Sequence, residues 1–335
     1  MLKTNIDYSV LLDFFNIEPK SLKDGGSIEE NEWYFKIFSF LKSKTDLQIG
    51  GYDSNSEFSN LINILTSGRE DSKLYPIQTN SVLSKVPIIE NNLHSLYFSE
   101  LYDSFIGEIE KKCGLLIGNR DNYKRLFNDL ICWGKRDKIT VRKNSVETLK
   151  NWEEIKPYIL PFTDVILYDN FILRDNNTID ENLLKIIEIL SEKANVQFNL
   201  IIIYEVETFL DNNKKKQNYP KLKVHEKKIT DFLKTKKINC SLGLIETDNK
   251  FKEHDRGIFM NYMRIYSGDS FNYFNIDGKI ITKGTDIQFQ YYSNPNNFNI
   301  AREALKNIKN IVTEFSKKLI PSYIGKIENR LLNNL

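Results

Sequence analysis

The residues best placed to do chemistry on a phosphate stand close together at His254, Arg256, Asn261 and Gly268. As a pattern the stretch is H-x-R-x4-N-x6-G. His254 and Arg256 are two apart, and side chains two apart along a strand share a face. An imidazole beside a guanidinium can grip a phosphate, because the planar guanidinium offers a fork to two phosphate oxygens. The other use of the same residues is a charged strand end, with Arg256 paired to Asp255 or Glu253. The following segment, Gly257 to Tyr266, is rich in β-branched and aromatic residues and runs into the turn signal Ser267-Gly268-Asp269. Two strands joined in a hairpin are therefore expected to position the site.

A second cluster is electrostatic. Between Lys214 and Lys228, seven of fifteen residues are lysine (Lys214, Lys215, Lys216, Lys221, Lys223, Lys227 and Lys228), against one acid, Glu226. Lys234, Lys236 and Lys237 continue the strip. Such a strip suits a row of phosphates, since each one neutralised adds salt-dependent affinity; Tyr204 and Tyr219 are available to stack on bases. The same strip also reads as a solvated surface in a lysine-rich chain, where lysine outnumbers arginine 37 to 10. The stretch His225 to Asp231 reads H-x-K-x3-D, but helical spacing turns His225 and Lys227 to different faces, so no site is expected there. Asp169 and Glu205 stand at the ends of expected strands. With no Glu-x-Lys or Asp-x-Asp pattern around them, they are expected to cap strands or to pair with Arg256 rather than to hold a metal.

The bulk properties bound the setting. A chain of 335 residues, 41% apolar and 27% charged, can bury one large core or two ordinary ones. A formal charge of +2 excludes a general polycation, so any polyanion site must come from local clustering. Three cysteines, odd in number and far apart, make neither a disulfide framework nor a metal-ligand pair. The N-terminus lacks the pattern of a signal peptide, and the longest apolar run, Leu200 to Tyr204, is far too short to span a membrane. The expected location is the bacterial cytoplasm, in line with a lysine-, asparagine- and isoleucine-rich composition.

Residues 1–132 are expected to form a mainly helical domain, with a dense apolar segment over 32–41 and apolar helical spacing over 57–65 and 96–109. Residues 133–335 change texture. Strands are expected over 164–173, 199–206 and 239–245, helices over 179–190 and 225–237, then the hairpin, and an amphipathic final helix over 300–319. Strand, helix, strand, helix, strand, hairpin is an α/β order.

That order, together with the stretch from His254 to Gly268, resembles one module of the phospholipase D superfamily, whose pattern is H-x-K-x4-D with a Gly-Ser pair six residues further on. It is most similar to the C-terminal domain of membrane-remodelling proteins that pair such a module with a microtubule-interacting and trafficking domain, over residues 145–292. The spacing agrees at each step, while Arg256 stands for the lysine, Asn261 for the aspartate and Asp269 for the serine. The resemblance implies an α/β sandwich with a C-terminal helix. Enzymes of that superfamily use one histidine as nucleophile and a second as acid, so a single-motif chain would need a homodimer, with His254 catalytic in both subunits. The three replacements imply instead a degenerate pocket in which His254, Arg256 and Asn261 bind phosphate, with no cofactor. The expected function is a phosphate- or nucleic-acid-binding component of a bacterial conflict or anti-phage system, acting as a homodimer or with other proteins of the same operon. Two alternatives stand beside it: an active, dimeric, metal-independent phosphodiesterase, and an anionic-lipid binder or interaction scaffold.

Overall fold

The computed structural model describes residues 1–16, 28–52, 59–84, 93–100, 106, 114–122, 126–127, 129–130, 137–210, 216–219, 221–247, 256–318, 322–333 and 335; for 28–33, 59–60, 62, 195–196, 207–210 and 216–219 it describes the backbone alone. The chain divides into two compact units, Met1–Gly134 with Tyr291–Ile300, and Lys135–Gln290 with Ala301–Leu335.

In the first unit, strand β1 (Lys3–Asp7) leads into helices α1 (Tyr8–Phe15) and α2 (Ile28–Ser39), then β2 (Asp46–Gly50), α3 (Ser59–Thr66), β3 (Ser95–Phe98) and β4 (Ile117–Gly118). The four strands form one parallel sheet in the order β2-β1-β3-β4. A mainly helical first domain leaves out this parallel sheet, while α2 and α3 fall on two of the stretches expected to be helical. The sheet's strands are five residues or fewer, and apolar runs that short fit a helical period equally well. Leu96–Phe98, which the spacing assigned to a helix, is a buried strand; most of the remainder of that expected helix falls outside the described residues.

The second unit is mixed α/β. It contains β5 (Lys138–Val141), β6 (Phe162–Tyr168), helix α4 (Leu184–Lys193) preceded by a π-helical turn (Ile179–Leu183), and β7 (Ala194–Glu205). There follow the hairpin β8 (Glu207–Leu210) and β9 (Lys216–Tyr219), α5 (Leu222–Thr235), β10 (Cys240–Thr247), β11 (Gly257–Phe259), β12 (Met263–Ser267), β13 (Thr285–Tyr291), α6 (Pro295–Ser316) and β14 (Tyr323–Gly325). Eight strands make one sheet in the order β14-β10-β7-β6-β11-β12-β13-β5. β6, β7 and β10 are mutually parallel; β11 runs antiparallel to β6 and β12 antiparallel to β11.

The reason β7 sits between the parallel strands β10 and β6 is written in its composition. Leu200, Ile201, Ile202 and Ile203 are all fully buried, so both faces of the strand are covered, as a parallel strand between helical layers requires. α4 buries Ile186, Ile187, Ile189 and Leu190. α6 buries Ala301, Ala304, Leu305, Ile308, Ile311 and Phe315 at the three- and four-residue spacing of one helical face. α5 buries only His225, Ile229 and Leu233, a narrow i, i+4, i+8 stripe, and leaves a mostly polar surface on which Val224 is exposed.

A buried asparagine and an ion pair with a buried acid hold the less regular parts. Asn182, in the π-helical turn, donates to the Phe274 carbonyl and accepts from the Tyr273 and Phe274 amides, all within 3.0 Å. The segment after β14 is tied down by Asp164, only 1% exposed, which accepts from Arg330 through the backbone N (3.1 Å), Nε (3.0 Å) and Nη2 (2.7 Å). Cutting away the partner of a buried acid strands its charge. Arg330→Ala is therefore expected to cost about 2–4 kcal/mol in urea denaturation; a loss under about 0.5 kcal/mol, the scale of an ordinary surface change, would show that the pair does not hold this segment.

Candidate functional site

The strand order of the second unit reverses at β6. The chain moves outward from β6 through β7 to β10, then returns across β6 to lay down β11 on the other side. Loops leaving the carboxyl ends of strands part at such a reversal, and that is where α/β sheets bind ligands. Asp169 follows the last residue of β6 and Arg256 precedes the first of β11, with Gly257 paired to Tyr168.

Asp169 is fully buried. It accepts from the Phe171 amide (3.0 Å), the Ser270 hydroxyl (2.8 Å) and the Phe271 amide (2.7 Å). Burial pushes its carboxyl above the ordinary range; those donors and the Arg256 charge offset part of the shift. Arg256 donates from Nη1 to Asp269 Oδ1 at 3.1 Å and lies over the Phe171 ring at 5.4 Å. Asp269 also accepts from the Ser270 amide and the Thr282 hydroxyl. Two departures from the phospholipase D pattern, arginine for lysine and aspartate for serine, thus meet as an ion pair. Asp269 matches the Arg256 charge through Nη1, while Arg256 Nε has no hydrogen-bond partner among the described residues.

The expected convergence of Arg256 with Asn261 does not occur. Asn261 is fully buried, and its Oδ1 accepts from the Thr163 and Asp164 amides, both at 3.4 Å. Those amides belong to the amino end of β6, whereas Arg256 stands beside its carboxyl end, roughly 17 Å away at about 3.3 Å per residue. The spacing counts residues along the chain; the turn at Met260–Tyr262 carries Asn261 to the far end of the hairpin. His254 lies outside the described residues.

The lysine strip divides into three groups. Lys214 and Lys215 lie outside the described residues, and Lys216 opens β9 opposite Leu210. Lys228 is paired to Asp180 at 2.8 Å and Lys236 to Glu188 at 2.6 Å, which fixes α5 to the helical segment beside it. Lys223, Lys227 and Lys234 are exposed and take part in no ion pair among the described residues. They fall at i, i+4 and i+11 and so share one face of α5, with Asp231 and the 64% exposed Val224 among them.

His225 faces the opposite way, as its spacing from Lys227 requires. Its Nδ1 is 3.3 Å from the Tyr204 hydroxyl, which donates to Glu246 Oε1 at 3.1 Å; the Lys221 amide donates to the same oxygen at 3.1 Å. This buried chain fastens the start of α5 to the carboxyl ends of β7 and β10. Burial raises the Glu246 carboxyl and, together with the Glu246 charge, the Tyr204 phenol. Cys240 is a free thiol pushed up to about 12 by burial, far from nucleophilic use at neutral pH.

Sequence reasoning passed over Asp7. It ends β1, where the order of the first sheet also reverses, and is fully buried. It accepts from the Ser81 hydroxyl, the Val82 amide and the Ser99 hydroxyl, each at 2.8 Å, and from the Glu100 amide at 3.3 Å. The signal was Ile6-Asp7 at the end of a short apolar run, hidden by reading this region as helical. With every bond directed at its own loops, Asp7 organises the strand ends.

Among the described residues no group of three or more His, Cys, Asp or Glu side chains is arranged to hold a metal ion. No helix among them is long and apolar enough to cross a membrane. No protein-family model matches this chain, and no curated protein matches it in sequence.

The raised Asp169 carboxyl has a consequence for stability. The unfolded chain loses this proton near the ordinary value of 3.8 and the folded chain keeps it to higher pH. Stability must therefore fall as pH rises from that value towards the folded one. Asp169→Asn is expected to flatten the decline by up to one proton, about 1.4 kcal/mol per pH unit, leaving the Glu246 contribution in place. Urea denaturation in steps from about pH 4 to 7 reads this; parallel curves for the two proteins would contradict it.

Proposed function

We propose that this chain binds the phosphate backbone of nucleic acid through the basic face of α5 and the hairpin that precedes it. The observation that carries the reading is the partition of lysines on α5. Lys228 and Lys236 hold the helix to its neighbours, while Lys223, Lys227 and Lys234 stand exposed on one face with no carboxylate bound to them among the described residues. Lysine presents phosphate with a compact charge that rotates to suit, so a row of them binds a backbone without reading its sequence. Lys214, Lys215, Lys216 and Lys221 extend the same strip in sequence. The setting we propose is a bacterial conflict or anti-phage system, on the strength of the phospholipase D resemblance.

Binding through the Arg256 side is a weaker reading, because Asp269 already matches that charge and Asn261 lies elsewhere. A lipid surface is also less suited. Val224 is the one large apolar side chain prominently exposed on α5, and a membrane-surface helix needs a continuous apolar face.

Fluorescence anisotropy with labelled single- and double-stranded DNA and RNA, titrated at about 50 to 200 mM salt, tests the proposal. Lys223→Ser/Lys227→Ser/Lys234→Ser is expected to weaken binding alike for all sequences and to reduce the slope of log affinity against log salt by about 2 to 3 on duplex DNA. Arg256→Ala is expected to change it little. Parental binding in the triple variant, or no binding by the parent chain, would overturn the reading.

A further inference from the structure

We infer that the second unit carries a separate binding site for a phosphorylated small molecule of nucleotide size, at the opposite ends of the parallel strands from α5's anchor. A cavity of about 1020 Å³ opens there. Its floor is the amino ends of β6, β7 and β10, at Asp164, Phe198, Asn199 and Ser241. One wall is the last turns of α6, with Lys309, Val312, Thr313 and Ser316; the other is the segment from Tyr323 to Asn333. Small-molecule sites run to about 300–1,000 Å³, so the space is ample for a mononucleotide.

The second wall has little regular structure, one three-residue strand and one short turn, so its position depends on side-chain ties. Here the tie is the half-buried Asp164–Arg330 pair, reinforced by Asn329, 5% exposed, whose Nδ2 donates to the Val165 carbonyl at 3.2 Å. The wall is thereby set before any ligand arrives, which lowers the ordering cost of binding.

Charge then selects the ligand. Lysine or arginine side chains line the cavity from both walls, Lys309 from α6, Lys326 and Arg330 from the segment after β14. Arg330 is committed to Asp164. Lys309 and Lys326 are exposed and form no ion pair among the described residues, and Glu328 is the one other carboxylate on the lining. Two uncommitted ammonium groups on different elements suit a phosphate dianion. Val312, Ile327 and Leu332 offer apolar surface, and the Ser241, Thr313 and Tyr323 hydroxyls offer polar contacts, for the body of the molecule. Inorganic phosphate would leave those groups unused. The lysines of α5 play no part in this site, so it stands or falls independently of nucleic-acid binding.

Calorimetric titration of the full chain with AMP, GMP, CMP and UMP, with glucose 6-phosphate and inorganic phosphate alongside, tests it. At least one mononucleotide or the sugar phosphate is expected to bind, and Lys309→Ala/Lys326→Ala to weaken that binding about tenfold or more. The α5 triple lysine variant is expected to bind it as the parent does. Both altered lysines are exposed, and an unchanged thermal transition verifies that the double variant folds. No binding by any of these phosphate esters at about millimolar concentration, parental affinity in the double variant, or inorganic phosphate binding as tightly as the esters would each overturn the inference.

Discussion

Asp169 is the contact on which the carboxyl-end architecture of the second unit depends. A carboxylate with no access to water must be answered by donors, and its donors come from two segments, the turn after β6 and the turn after β12. Bringing those turns together sets Ser270 against Asp169 and places Asp269 within reach of Arg256. The pairing that neutralises Arg256 is thus a consequence of how one buried acid is satisfied. Asp7 does the same work in the first unit, gathering Ser81, Val82, Ser99 and Glu100 around the end of β1.

Several acids are buried and the lysines are not, although Arg264, 1% exposed against the Phe259 and Tyr266 rings, is a buried cation. Acids such as Asp7, Asp164, Asp169 and Glu246 are buried at strand ends, where amide and hydroxyl donors converge. Lysines remain outside, because a flexible ammonium keeps its hydration there. A chain with a formal charge of only +2 can therefore still present locally basic faces. On α5, the residues that pay for the helix's attachment (His225, Ile229, Leu233, Lys228 and Lys236) differ from those left available to a partner.

The α/β alternation of the second unit was legible because its signals are strong. Ile201 to Ile203 can be little but a buried strand, and the apolar spacing over α4 and α6 admits one face. The two-to-five-residue strands of the first unit carried too few periods to tell them from helices. At the site, the alternation of His225 and Lys227 was readable, because helical geometry decides it over two residues. The meeting of Arg256 with Asp269, thirteen residues on, and its parting from Asn261, five residues on, were not. Both depend on where a hairpin turns and which end of β6 it meets, and motif spacing contains neither. Lysines gave the opposite difficulty: their clustering was plain in the sequence, but which of them are tied to acids is a matter of tertiary neighbours.

The central claim is that α5 meets nucleic acid with the lysines that the fold leaves uncommitted. Lysine acetylation read by mass spectrometry, with and without duplex DNA at low salt, locates the contact residue by residue. The account predicts that Lys223, Lys227 and Lys234 react readily in the free chain and are protected by DNA, while Lys309 and Lys326 react equally in both. Protection that spares α5, or that falls on Lys309 and Lys326 instead, would contradict it.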